Sequence, residues 1–276
     1  MKRLSPLLLL LLLCCDFGQK AQRVENTEPP AFQSTFVEYE IREIAERGGA
    51  CEKDSTSQRC IDVNISYPVI VKGVDNPFLD SLNSSIKASI LEYAFVSEKQ
   101  LDFESLINEI KAEYELVTQD FPDYNTPWQL EVNSDIIYQD SLFISLASTI
   151  YTYTGGAHAN TMQVYRSYDL QTGKVLTLAD LLEEEFEIDL NEAAEVEFRM
   201  AKMIPPGRDL DDEGYFFEGN RFRLNENFAI MNRSLLFYFN PYEIAPYALG
   251  ATELELKLTD YVKLIKDGSV IEDLKN

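Results

Sequence analysis

The chain of 276 residues carries 24 Lys and Arg against 47 Asp and Glu, which gives a formal net charge of −23. Such a field repels nucleic acid and anionic lipid, so we exclude nucleic acid as a partner. It attracts cations and basic proteins. The alternative interpretation is that the negative charge serves only solubility at a crowded surface. A hydrophobic content of 45%, with 16 Phe and 15 Tyr, excludes a disordered chain, and the one histidine excludes mechanisms that need two.

The N-terminus has the pattern of an export signal. Lys2 and Arg3 precede seven leucines at residues 7–13. As a helix this run covers about 10 Å, which is too short for a bilayer core of roughly 30 Å. The length fits the apolar region of a signal peptide. We therefore predict a protein exported to the bacterial cell envelope.

Two adjacent cysteines follow, as in a lipoprotein signal. The peptidase that processes such signals requires a small residue before the lipidated cysteine. Cys14 meets this requirement for Cys15, whereas a leucine precedes Cys14. We predict lipidation at Cys15 and contact with the membrane through that lipid; an ordinary secreted protein is the alternative. The predicted layout is a signal peptide at residues 1–15, a flexible tether at 16–33, an N-terminal α+β subdomain at 34–126 and a C-terminal domain at 127–276.

Cys51 and Cys60 remain once the signal has used the other two cysteines. An even remainder in an exported chain indicates a disulfide. Two thiols and one distant histidine are too few ligands for a closed zinc site. Alternating segments at residues 36–44 and 61–67 flank the polar loop between the cysteines, so we predict two strands that pair across it.

Two helices are predicted next, at residues 76–94 and 103–119. Asn76 and Pro77 open the first helix, because proline is favoured at the first helical position. In both segments the apolar residues recur with the 3.6-residue period of a helix. Pro122 and Pro127 then end the pattern.

From Trp128 onward the chain is rich in β-branched and aromatic residues, which favour strands. Turn signals at residues 133–135, 139–140 and 171–173 divide this region, as is typical of an antiparallel meander. The predicted strands cover residues 128–132, 136–138, 142–153 and 161–170.

The remaining elements complete an α+β pattern. A helix at residues 178–203, interrupted near 183–185, ends before Pro205. The other predicted elements are a hairpin at 228–239, a strand at 254–258 and a short terminal helix at 261–265. We therefore predict the α+β class, with antiparallel β-sheets packed against helices in two closely associated subdomains, and a monomer.

Four segments in the C-terminal half resemble the motifs of one family. They read YTGGAH at residues 153–158, YDLQTGKVLTLADL at 168–181, LLFYFN at 235–240 and PYEIAPYALG at 241–250. In this order and spacing they look like the PdaC/RsiV-like family of envelope domains, with a DUF3298-type C-terminal domain and a DUF4163-like N-terminal domain. That family includes extracellular domains of lysozyme-sensing anti-sigma factors and the region before the catalytic domain of some peptidoglycan deacetylases. The resemblance implies an isolated sensor or binding module and transfers no catalytic residue.

The candidate ligand-binding residues come from the first and last of these segments. Gly155 and Gly156 permit a turn with positive φ, and His158 suits a ligand contact, a proton switch or a structural hydrogen bond. Tyr242 and Tyr247 each follow a proline, and they either line a groove beside the glycine turn or form a packed connection. The candidate set is Tyr153, Gly155, Gly156, His158, Asn160, Tyr242 and Tyr247.

Two acidic segments complete the candidates. Residues 209–214 partly match a calcium loop, but the twelfth position is Asn220, so a solvated loop is favoured. The glutamates at 183–187 and those that follow form either an exposed face or a contact for a basic partner. We predict no metal, no cofactor and no catalytic residue.

The leading functional hypothesis is a non-enzymatic envelope lipoprotein. It would sense or bind either a fragment of peptidoglycan or another glycan, or a lysozyme-like basic protein. The alternative is an enzyme or accessory domain that acts on peptidoglycan or another glycan, and a purely structural envelope protein is a third class.

Overall fold

The backbone folds into two β-sheets and four α-helices within the residues that the computed structural model describes, which are 37–54, 56–94 and 102–275. This mixed architecture confirms the predicted α+β class. The predicted signal peptide, the tether and the lipidation at Cys15 lie outside the described residues.

The larger sheet has five strands in the order β1-β2-β3-β4-β5. Its strands are β1 (Glu38–Gly49), β2 (Cys60–Lys72), β3 (Trp128–Gln139), β4 (Phe143–Tyr153) and β5 (Asn160–Asp169). The pair of β1 and β2 and the meander of β3, β4 and β5 are antiparallel, as predicted. β2 and β3 are parallel, which corrects the prediction that the sheets are antiparallel throughout.

The parallel pair arises because two helices connect β2 to β3 over one face of the sheet. These are α1 (Asn76–Ala94) and α2 (Phe103–Asp120), both as predicted. Asp102 caps α2 by accepting a hydrogen bond from the backbone N–H of Ser105 at 2.7 Å. The helices bury one apolar stripe each against the sheet, and together they enclose the first hydrophobic core.

The predicted turn at residues 133–135 is wrong, because β3 runs through it without interruption. Asn133, Ser134 and Asp135 are polar, but the alternation of buried and exposed residues continues across them. Ser134 is buried and accepts a hydrogen bond from Ser148 on β4 at 2.8 Å. The residue types alone therefore do not distinguish a turn from a strand that buries a serine against a cross-strand partner.

The smaller sheet has three antiparallel strands and packs with two helices around a second hydrophobic core. Its elements are α3 (Leu178–Leu181), α4 (Phe186–Ala201), β6 (Phe228–Met231), β7 (Ser234–Phe239) and β8 (Thr252–Lys257). The predicted interruption is confirmed, and Glu185 adopts a left-handed conformation with φ of 67° before α4. The predicted terminal helix is only a 3₁₀ turn at Val262–Leu264.

The five-stranded sheet runs across the predicted division of the chain at residues 126 and 127. Both sides of that division contribute to the first core, and β4 carries Phe143 into the second. The domain boundaries stay a prediction. Within the described part of the chain, no helix is both long and apolar enough to cross a membrane.

A serine pair joins the two sheets. The backbone N–H of Ile230 on β6 donates to Ser167 Oγ at 2.9 Å, and Ser145 Oγ donates to the carbonyl oxygen of Ile230 at 2.6 Å. The two hydroxyls are 2.7 Å apart, so Ser167 donates to Ser145 and closes the cycle. These fully buried hydroxyls therefore satisfy backbone groups that would otherwise lie buried without partners.

Two asparagines bind the outer edge of β5. The backbone N–H of Tyr165 donates to Asn227 Oδ1 at 2.7 Å, and that of Gln163 donates to Asn240 Oδ1, also at 2.7 Å. The carbonyl oxygen of Gln163 accepts from both amides. These side chains take the place of a sixth strand. We call Ser145, Ser167, Asn227 and Asn240 the polar seam.

The predicted disulfide between Cys51 and Cys60 is confirmed, with Cα atoms 5.4 Å apart. It closes the loop between β1 and β2. Nearby, the Arg59 guanidinium donates to the carbonyl oxygens of Tyr124 at 2.9 Å and Pro122 at 2.7 Å, which fixes the loop against the end of α2.

Replacing both Cys51 and Cys60 by Ala should lower the free energy of unfolding by about 2.7 kcal/mol, because the open loop gains conformational entropy in the unfolded chain. Denaturant titration measures the change. Reduction of the wild-type protein should give the same loss, and an unchanged midpoint in both cases would contradict a stabilising bridge.

Candidate functional site

The two segments that contain the candidate ligand-binding residues lie side by side in the fold. The connection between β4 and β5, residues 154–159, lies beside residues 241–250, which connect β7 to β8. The His158 ring stacks on Tyr247 with centroids 4.9 Å apart and planes at 16°. Tyr247 in turn contacts Tyr242 at 5.4 Å and 33°. We call His158, Tyr247 and Tyr242 the aromatic ladder.

The glycine turn is shaped by a tyrosine from a distant loop. Tyr124 Oη donates to the carbonyl oxygen of Thr154 at 3.1 Å and accepts from Trp128 Nε1 at 2.8 Å. Gly155 has φ of 97°, and a Cβ there would lie 2.7 Å from Tyr124 Oη. Gly156 has φ of 101°, but a Cβ there would meet nothing within 4 Å. Gly155 is therefore required by both backbone and space, and Gly156 by backbone alone.

Two polar contacts involve carbonyl oxygens of the connection at residues 154–159. Tyr153 Oη donates to the carbonyl oxygen of Gly156 at 3.4 Å, and His158 Nδ1 lies 3.0 Å from the carbonyl oxygen of Ala159. Asn160 is exposed at the start of β5. Sequence reasoning missed Tyr124, because nothing in the local pattern between Pro122 and Pro127 indicates a contact with the glycine turn.

Residues 241–250, which we call the tyrosine loop, are held at their start by Asn240 of the polar seam. Glu243 accepts from the backbone N–H of Asn240 at 2.8 Å and from Asn225 Nδ2 at 2.6 Å. Tyr242, between Asn240 and Glu243, has φ of 70°, which is uncommon for a residue with a side chain. Such a conformation persists where surrounding contacts fix it, so the bonds of Glu243 position the Tyr242 ring.

The ladder is exposed although it is aromatic. The exposed fractions are 56% for Tyr242 and 49% for Tyr247. Phe216 and Leu249 are also exposed, and the segment of Phe216 lies against the loop through a backbone hydrogen bond to the carbonyl oxygen of Ile244 at 3.0 Å. Exposed aromatic rings that contact one another, as the ladder residues do, are typical of a binding surface.

A groove of about 420 Å³ adjoins the ladder. Amide and carboxylate side chains line it together with aromatic and apolar ones, a composition that suits a small polar ligand. Its lining residues include Tyr93, Met162, Asn225, Glu226, Asn240 and Tyr242. Arg166 Nη2 donates to Tyr93 Oη at 2.7 Å, and this bond holds the Tyr93 ring at the groove wall.

Two tyrosines between the sheets have raised pKa values. Burial raises the pKa of Tyr165, and its hydrogen bond to Glu253 at 2.8 Å raises it further. Burial and the charge of Glu253 raise the pKa of Tyr238. Both phenols therefore stay protonated, and Tyr165 serves as a donor across the junction.

The two acidic segments, at residues 183–187 and 209–214, are distant in sequence from the aromatic ladder. Arg208 pairs with Glu213 at 3.0 Å in the loop that partly matched a calcium site. Within the described ranges, no group of three or more His, Cys, Asp or Glu is placed to hold a metal ion. α4 exposes Ile188, Val196 and Met200 among its glutamates, so its outer face is apolar as well as acidic.

The fold and the site define a two-sheet α+β module with an exposed aromatic surface beside a groove. A family profile described as "Deacetylase PdaC" matches residues 55–161, and one described as "Protein of unknown function (DUF3298)" matches residues 179–259. The chain belongs to the PdaC/DUF3298-type family. The DUF4163-like N-terminal domain stays a prediction.

One curated relative and two solved structures illustrate the likeness. The chain is 25% identical over 168 residues to the peptidoglycan-N-acetylmuramic acid deacetylase PdaC of Bacillus subtilis, covering 59% of this chain but only 35% of that protein. A DUF3298 family member from Bacteroides fragilis has a TM-score of 0.72 at 21% identity, over 87% of this chain and 97% of that one. A DUF3298 family protein from Pseudomonas aeruginosa has a TM-score of 0.61 at 18% identity, over 83% and 95%. These two structures show a shared fold.

Gly155→Ala should disturb the site more than Gly156→Ala, because only the first adds a clash with Tyr124 to the strained backbone. Trp128 is the one tryptophan and donates to the same hydroxyl, so its fluorescence reports the change. We expect a shifted emission maximum in Gly155→Ala and an unchanged one in Gly156→Ala. Equal spectra for the two variants would show that Tyr124 does not constrain the turn.

Proposed function

We propose that the protein is a non-enzymatic binding module of the bacterial cell envelope, exported and lipid-anchored at Cys15, whose ligand contacts the aromatic ladder. The observation that carries this proposal is the meeting of three exposed rings from two separate loops, with His158 stacked on Tyr247 and Tyr247 in tilted contact with Tyr242. Ring faces held by neighbouring rings lose little conformational entropy when a ligand binds.

A glycan fragment, such as one from peptidoglycan, is the ligand class that the surface suits best. Sugar rings present flat apolar faces and a rim of hydroxyls. The ladder offers flat apolar rings, and the adjoining groove offers amides and carboxylates that hydrogen-bond hydroxyls. The name of the Bacillus subtilis relative supports a peptidoglycan context for this choice.

A lysozyme-like basic protein is the second candidate ligand. The net charge of −23 and the acidic outer face of α4 favour a cationic partner. The exposed Ile188, Val196 and Met200 would add apolar contact at that face. This candidate predicts binding that weakens steeply with salt, since the screening length is about 8 Å at physiological ionic strength.

An enzyme or accessory role on peptidoglycan or another glycan is the alternative function. It is supported by the name of the curated relative, of which this chain spans about a third. The His158 ring contacts Tyr247 and the carbonyl oxygen of Ala159, an arrangement that favours ligand contact over activation of a nucleophile.

Calorimetry with soluble peptidoglycan fragments tests the proposal. Tyr247→Ala should weaken binding by roughly 5–30-fold, as expected for an aromatic residue at the centre of a contact. Tyr39→Ala is the matched control, because Tyr39 is a part-exposed tyrosine on β1, at the opposite edge of the sheet from β5, and should leave the affinity unchanged.

Three outcomes separate the hypotheses. Salt-insensitive glycan binding that depends on Tyr247 supports the proposal. If the protein binds a lysozyme but no glycan, the ligand is a basic protein in place of a glycan. This binding should be lost at high salt or when Glu183, Glu184 and Glu185 are neutralised. Turnover of a glycan by the purified protein, abolished by His158→Ala, would contradict the non-enzymatic role.

A further inference from the structure

The two edges of the five-stranded sheet differ. At β5 the polar seam occupies backbone groups of the outer edge through Asn227 and Asn240. At the other end, β1 pairs with β2 alone, and within the described ranges no strand lies on its outer side. β1 is also long, at 12 residues, and most of its side chains are exposed. Such an open edge is a template for another strand.

A proline on β2 shows which backbone groups of β1 point away from the sheet. Ile41 lies opposite Pro68 in the pairing of β1 with β2. Pro68 has no N–H to donate, so the pair fits the position in an antiparallel ladder where neither residue bonds across. The N–H and C=O of Ile41 then point away from β2, and those of Tyr39 and Glu43 do the same. These residues present the free donors and acceptors of the edge.

Side chains along the edge fall into two groups. Glu38, Glu46 and Arg47 form ion pairs inside the chain, with Lys72, Lys111 and Asp62 respectively. Glu40, Arg42 and Glu43 form none with the part of the chain that the structure describes. Tyr39 and Ile41 are 40% and 46% exposed. The unpaired charges and the exposed apolar residues thus occupy the same stretch.

We propose that β1 pairs antiparallel with β1 of a second copy of this chain, with Ile41 opposite Ile41 at the two-fold axis. This register places Glu40 opposite Arg42 on both sides of the axis. Opposite charges stabilise a cross-strand pair and like charges destabilise it. It also joins the exposed Ile41 side chains and lets each outward N–H meet a carbonyl of the partner.

Neighbouring registers are less favourable because they oppose like charges. A shift in one direction places Arg42 opposite Arg42, and a shift in the other places Glu40 opposite Glu40. A register centred on Ile44 would use Glu46, which already pairs with Lys111 on α2. The register centred on Ile41 uses charges that have no partner in the described chain.

The interface is small, and a net charge of −23 on each copy opposes association. We therefore expect a concentration-dependent equilibrium between monomer and dimer, in contrast to the monomer expected from sequence. The dimer does not depend on the ligand of the aromatic ladder, because β1 and β5 lie at opposite edges of the sheet.

Sedimentation velocity over a concentration series tests the proposal on the full chain, with Ser at Cys14 and Cys15 so that no lipid attaches. Arg42→Glu and Glu40→Arg should each weaken dimerisation by about tenfold, because each change makes two like-charge pairs. The double variant should recover the wild-type constant. Arg223→Glu, an exposed charge reversal elsewhere, controls for the change in net charge.

The combination of Glu40→Arg with Arg223→Glu has the same net charge as the double variant and should not recover dimerisation. Circular dichroism of each variant checks the fold. A monomer at every concentration would overturn the proposal, and this holds even if β1 pairs with a strand of another protein. Dimerisation that is insensitive to Arg42 and Glu40 would overturn the register.

Discussion

The polar seam of serine and asparagine side chains joins the two sheets. Backbone groups of β5 and β6 lie at the junction of the two sheets, where side chains bond them and no further strand does so within the described residues. Ser145 and Ser167 satisfy Ile230, while Asn227 and Asn240 satisfy the edge of β5. Burial of these groups without partners would cost several kcal/mol in total, roughly 1–3 kcal/mol for each. The seam therefore fixes how the smaller sheet sits on the larger one.

The site is a consequence of that arrangement. Asn240 directly follows β7 and precedes the tyrosine loop, so its bonds to Gln163 bring the loop to the edge strand β5. At the other side, Tyr124 holds the glycine turn that begins β5. His158 and Tyr247 stack where the two supports converge. A surface built from two loops on rigid strands can present aromatic rings to a ligand without reorganising, which is the physical basis of the proposed binding function.

The sequence predicted much of the fold because alternation and helical periodicity are local signals. The spacing of apolar residues predicted β1, β2, α1, α2 and the later meander. The number of cysteines predicted the disulfide. The parallel pairing of β2 with β3 and the bond from Tyr124 to the glycine turn depend on contacts between distant segments. Ser134 shows a related limit, because burial of a polar residue depends on a partner that periodicity does not reveal. The family motifs indicated the residues of the ladder, but their stacking appears only in three dimensions.

A crystal structure of Asn240→Ala tests most directly whether the polar seam builds the site. The substitution removes the clamp on Gln163 and leaves the ladder residues themselves unchanged. We expect the sheets to persist and the His158 and Tyr247 rings to separate from their 4.9 Å stacking, with loss of ligand binding. A ladder retained at that distance in the variant would show that the seam does not position the site.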